Sequence, residues 1–291
     1  MATAGPLIKY RKSIIELGPL SGKVDYSPGL SLPTNRNIFV RALSAQLTKQ
    51  IPNIYSYAQF DNTKLSVTNN ASAGTPTWHQ IDLPHGVYTL LELTLAITDA
   101  VGVYSGKNWY TNDAQPGILI EGNTSTGKVY IILDNSKTTG QTGRLGIRFD
   151  VGGTLYETLG YNPDYPLQMI QTDTNDGSLP GYIFKSTAAA FPPKLDTQGT
   201  TCDVRTSLNP EMSYVNSTNT DIILSIPLTV AGDNADEYFY PYDGAISPFI
   251  QLRNSGAITG LDVKLLTNRG EEMIFLYGDF DLNLQLTTMG I

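Results

Sequence analysis

Two histidines and one cysteine are all that this 291-residue chain offers to the commonest nucleophile–base pairs. His79 and His85 stand in Trp78-His79-Gln80-Ile81-Asp82-Leu83-Pro84-His85, with Asp82 as a third potential metal ligand. A metal site needs converging ligands. Six residues of extended strand separate its ends by roughly 20 Å, so the stretch reads as a strand end. Cys202 has no second cysteine to pair with and reads as a small core or edge residue. Gly152-Gly153-Thr154 could hold an anion at a helix start. It lacks the lysine and spacing of a phosphate loop and reads as a strand-to-helix turn. Asp233-Asn234-Ala235-Asp236-Glu237 has calcium-binding side chains but no known loop spacing, and reads as a solvated acidic turn. Asp279 and Asp281 look like a glycosidase carboxylate pair, yet simple strand alternation explains them. There is no Gly-x-Ser-x-Gly elbow and no basic stripe interleaved with aromatics. The expected catalytic, metal and cofactor sites are therefore none, and the chain is expected not to be an enzyme.

The elements that carry these residues are mostly strands. Charged residues make up 16% of the chain, against about 25% in ordinary domains. That low share, with 17 tyrosines, suits a surface covered by neighbours. The net charge of −8 disfavours a nucleic-acid-binding body. It is unevenly spread: residues 1–30 hold four cations and two anions, net +2, which leaves −10 for residues 31–291. One cysteine allows no intrachain disulfide and favours a reducing compartment. The start lacks an apolar signal core. No run approaches the roughly 18 apolar residues of a membrane span, so no membrane insertion is expected.

Residues 1–30 keep no period for long and break at Gly18-Pro19 and Pro28-Gly29, which reads as an extended arm. Strand character runs from Asn37 to Leu43, resumes over 54–60 and follows at 64–68. Thr89-Leu90-Leu91-Glu92 forms a capping box, and Leu90, Leu93, Ile97 and Val101 recur at helical spacing, predicting a helix over 89–101. Strands are predicted at 117–121, 128–134 and 144–150. Thr154-Leu155-Tyr156-Glu157 reads as a second capping box, with a short helical turn that Gly160 can close. The last hundred residues are plainly β. Ile222, Leu224, Ile226, Leu228 and Val230 share a face, as do Leu261, Val263 and Leu265. Ile274, Leu276, Phe280, Leu282, Leu284 and Leu286 are expected to face one way and Asp279, Asp281, Asn283 and Gln285 the other, so one sheet face lies on a core. The economical solution is a mainly β protein: a single eight-stranded jelly-roll sandwich from 31–76 and 180–291, interrupted by a small α+β domain at 77–179.

The helix motif Gly86 to Leu93, then Ile118 to Glu121, Gly127 to Leu133, Gly146 to Phe149 and Leu155 to Gly160, resembles a block of virophage and Polinton-like virus minor capsid proteins. So do Val204 to Leu208, Ile222 to Pro227, Tyr238 to Pro241, Leu261 to Gly270 and Phe275 to Leu286. The resemblance is to the penton, or vertex, protein family, mavirus-type members foremost. It implies a virion protein, assembled in the infected host cell's cytoplasm. It further implies homopentamers at fivefold capsid vertices, contact with a major capsid protein, and an outward-facing inserted domain. The family offers no catalytic residues. The residues alone leave open a jelly-roll lectin or fibre head that binds carbohydrate or a receptor, and a β-sandwich hydrolase, which would need a carboxylate pair in a cleft. The arm is expected to contact neighbouring subunits through Leu7, Ile8, Ile14, Ile15 and Leu17. Lys9, Arg11 and Lys12 are expected to meet acidic neighbours or, weakly, encapsidated DNA.

Overall fold

The computed structural model describes residues 3–32, 36–68, 75–105, 118–123, 125–134, 145–149, 154–161, 168–170, 183–185, 189, 191–195, 198–208, 222–228, 236–239, 249–252 and 257–289. The chain begins with β1 (Thr3–Ile14), β2 (Gly22–Leu30) and β3 (Asn37–Lys49). Next come β4 (Ser56–Tyr57), β5 (Phe60–Asp61), β6 (Lys64–Thr68), β7 (His79–Asp82), α1 (Leu90–Ser105), β8 (Ile118–Gly122) and β9 (Val129–Asp134). β10 (Gly146–Arg148), α2 (Leu155–Thr158), β11 (Gln168–Ile170) and β12 (Ile183–Lys185) follow. The chain closes with β13 (Thr201–Thr206), β14 (Ile222–Pro227), β15 (Asp236–Phe239), β16 (Ile250–Gln251), β17 (Ile258–Thr267) and β18 (Gly278–Met289). It divides into two compact units, Met1–Pro52 with Gln198–Ile291, and Asn53–Thr197.

The first unit is a sandwich of two antiparallel sheets. One runs β1-β18-β3-β15, with β16 also pairing β3; the other runs β14-β13-β17-β2. β18 sits between β1 and β3, with Leu282 opposite Tyr10 on one side and Ala45 on the other. Its even-numbered residues Phe280, Leu282, Leu284 and Leu286 are buried, as the alternation predicts. They share one core with Ile8, Tyr10, Val40 and Leu47 of their own sheet and Cys202, Val204, Leu261, Val263 and Leu265 of the other. The Tyr10 and Phe280 rings lie 6.0 Å apart, centroid to centroid, within that core.

The expected arm is a correction. Residues 3–14 form a full strand on β18, from Thr3↔Thr288 to Ile14↔Gly278, and residues 22–30 form the edge strand beside β17. The physical reason is visible in β1. Ile8 and Tyr10 go to the core, while Lys9 and Arg11 alternate outward, so the apolar signal is diluted by charges on the exposed face.

The second unit has its own core, built from Ile54, Leu65, Val67, Ile81, Leu93, Ile97, Ile118, Ile131, Ile147, Phe149 and Leu155 among others. Its sheets run β11-β10-β6-β7 and β12-β9-β8, with a β4-β5 hairpin. The unit begins earlier than the expected residue 77 and ends later than 179. β6, assigned by sequence to the sandwich, instead pairs β7 and β10. Strand periodicity shows that a strand has one buried face, not which core buries it.

α1 starts as the sequence requires. The Thr89 amide donates to Glu92 Oε2 at 2.8 Å, and the Glu92 amide donates to Thr89 Oγ1 at 3.3 Å. The second capping box does not form. Thr154 sits at φ −104°, ψ 18°, outside the extended conformation of a capping residue, and makes no side-chain cap bond. Glu157 Oε1 instead accepts from the Tyr156 hydroxyl at 3.2 Å. Gly160, at φ +87°, closes this turn as expected.

Candidate assembly surface

The eight residues assigned to arm contacts all lie on β1 or the bend after it, where alternation sorts them. Ile8 is 1% exposed and belongs to the core. Ile14 is half-buried against the same core, and Leu17 is half-buried. The Lys12 amine donates to the Ser21 carbonyl. These four are held within the subunit. Outward stand Leu7, 49% exposed, Lys9, and Arg11, whose Nε lies 3.5 Å from Asp281 Oδ1 across the β1–β18 pair. Ile15, 91% exposed, protrudes from the bend. β1 and β2 are thus sheet strands and not a free arm.

Three residues that sequence reasoning missed complete the picture. Tyr277, 44% exposed, flanks the Ile14↔Gly278 pair on the same side as Ile15. Further along the sheet, Leu7 lies opposite Gln285, and Gln285 lies opposite Arg41. Arg41 donates from Nε to Gln285 Oε1 at 2.9 Å and places its guanidinium 4.5 Å over the Phe249 ring. Phe249 follows a stretch with no strand signal, so only the fold brings it to Arg41. Tyr277 precedes the glycine that starts the cleanest strand, and its place just before that strand was the available clue.

The groups considered for chemistry are placed as follows. Cys202 points into the sandwich core, where burial, then Asp203, pushes its thiol far up from the ordinary range. His79 lies on β7 opposite Val67, His85 is exposed beyond the strand, and Asp82 accepts from Gln80 Nε2 at 2.9 Å. Among the described residues no three His, Cys, Asp or Glu side chains are grouped to hold a metal ion. Asp281 faces Arg11, so the Asp279–Asp281 spacing reflects an outward strand face. Gly152, Gly153 and Asp233 to Ala235 lie outside the described residues, as does Val230. Among the described residues no helix is long and apolar enough to cross a membrane.

No family model matches the chain, and no curated protein matches it. Solved structures similar to it include the mavirus penton protein, at 10% identity and TM-score 0.43, covering 98% of this chain and all of that one (100%). Another is the 3.5 Å cryo-EM structure of the Sputnik virophage, at 13% identity and TM-score 0.38, covering 98% of each chain.

Proposed function

We propose that this chain is a structural capsid subunit that forms homopentamers at the fivefold vertices of an icosahedral virion and contacts a major capsid protein there. The strand order of the first unit carries the reading. Among the described residues, and leaving out two-residue β16, the sandwich strands β1, β2, β3, β13, β14, β15, β17 and β18 count as first to eighth. Their sheets run 1-8-3-6 and 2-7-4-5, which supports an eight-stranded jelly roll wound from two Greek keys. Such sandwiches serve as capsid and lectin domains. The residue pattern described above favours the capsid. A lectin calls for clustered exposed aromatics, whereas among the described sandwich residues the two exposed aromatics, Phe249 beside Arg41 and Tyr277 before Gly278, stand apart. The second unit, inserted between the third and fourth strands, would face outward from the particle. The protein works by contact and not by catalysis.

Light scattering of the purified full chain tests this. A closed pentamer with cyclic contacts is expected. A species that stays monomeric at high concentration, or a twofold dimer, would overturn the pentamer reading.

A further inference from the structure

Among the described residues, four large apolar side chains of the sandwich stand exposed: Leu7, Ile15, Phe249 and Tyr277. They fall into two groups on one sheet, one beside the Ile14↔Gly278 pair and one along the row Leu7–Gln285–Arg41. Ile15 and Tyr277 each adjoin the Ile14↔Gly278 pair in the chain, with exposed Glu16 and Asp279 next in sequence. Leu7 and Phe249 lie on a row through Gln285 and Arg41, with exposed Lys9 two positions along β1. One group is apolar and acidic; the other is apolar and basic. Eight residues of strand separate Leu7 from Ile15, roughly 26 Å. One rigid subunit therefore cannot bring the two groups together, but two copies can.

We infer that these two surfaces bind each other between copies of this chain, Leu7, Lys9, Arg41 and Phe249 of one against Ile15, Glu16, Tyr277 and Asp279 of the next. The contact is heterologous, because different patches meet, and repetition of such a contact generates rings or open chains, not twofold dimers. Apolar anchors supply the desolvated centre, while the opposite charges steer approach and fix register. The inference rests on the self-assembly proposed above and names its surfaces.

Mixing experiments test it. Variant one carries Ile15→Ser and Tyr277→Ser; variant two carries Leu7→Ser and Phe249→Ser. Each alone should associate at least about tenfold more weakly than the wild-type chain, with an unchanged unfolding midpoint. Mixed, they should form one-to-one dimers that grow no further, because each supplies one intact surface. Glu16→Lys with Asp279→Lys, which leaves the apolar groups in place, should also weaken association and keeps the test open if a serine variant misfolds. Wild-type association by both serine variants would overturn the inference while leaving self-assembly standing. Two monomeric variants that fail to pair when mixed would overturn the head-to-tail contact. A wild-type chain that never associates would overturn self-assembly itself.

Discussion

Gln198 grips the backbone of Ile274 from both sides of its amide. Its Nε2 donates to the Ile274 carbonyl at 2.8 Å, and its Oε1 accepts the Ile274 N–H at 2.7 Å. The same Nε2 lies 3.4 Å from the Pro52 carbonyl. Gln198 is 4% exposed, so these bonds form away from water. They fasten the points where the chain leaves and rejoins the sandwich to the segment that leads into β18. Gln198→Leu should remove all of them and leave buried backbone groups unpaired. A loss on the order of 2–4 kcal/mol is expected from denaturant unfolding. A change under about 0.5 kcal/mol would show that water replaces the side chain.

The register of β18 separates two neighbours sharply. Leu284 is buried between Ile8 and Ala42, whereas Asn283 points outward and donates to Ser44 Oγ at 2.8 Å. Leu284→Ala should cost about 2–5 kcal/mol, and Asn283→Ala about 1 or less. Equal, small shifts in denaturant midpoint would contradict the assigned faces.

Gly160 tests the second unit by itself. A Cβ there would stand 2.1 Å from the Phe191 carbonyl oxygen, and the residue already sits at φ +87°. Gly270 has a similar φ of +81° but nothing within 4 Å of such a Cβ. Gly160→Ala should therefore destabilise its unit severely, beyond the roughly 1 kcal/mol that the left-handed conformation alone costs at Gly270→Ala. Differential proteolysis or hydrogen exchange of the two variants would read the contrast. Equal effects would mean that the Phe191 carbonyl yields easily.

Tyr10 gives the sandwich an alkaline limit. Burial, aided by Asp262, pushes its hydroxyl up to about 12, and the hydroxyl donates to the Leu20 carbonyl at 2.8 Å. In the unfolded chain a tyrosine ionises near pH 10. Its contribution to stability is therefore complete below about pH 10 and declines as pH rises toward 12. Tyr10→Phe should start less stable by about 1 kcal/mol, for the lost hydrogen bond, and fall less steeply over that interval. Parallel curves for the two proteins would refute the assignment.

What the sequence made legible was local. The Thr89–Glu92 box, the α1 face through Leu93 and Ile97, and the alternation of β18 all depend on neighbours within a few residues. The box at Thr154 carries the same letters, yet Thr154 stands outside the extended conformation that a capping residue needs. β1 was missed because its outward residues are basic and its inward ones few. β6 was given to the wrong core because a buried face names no partner. Tyr277 and Phe249 fall outside regular alternation, so their exposure appears only once the sheets are assembled.

The placement of Pro52 beside Gln198 leads to the last prediction. The second unit leaves and returns at two points joined by the Gln198 side chain, and its core residues are distinct from those of the sandwich. Gln198 and Pro52 both belong to the first unit, so their contact does not need the second. A chain in which a short Gly/Ser linker replaces Asn53–Thr197 should therefore close the same sandwich without stretching. Loop-closure cost rises slowly with length, so exchanging a folded insert for a few flexible residues should leave the sandwich stable by comparison. The expected product has a cooperative unfolding transition and a β-type circular dichroism spectrum, and retains the buried, alkylation-resistant Cys202. A Cys202 that reacts freely in the native shortened chain would show that the sandwich core does not close without the second unit. The division of the chain into two separately cored bodies would then fail as an account of how it folds.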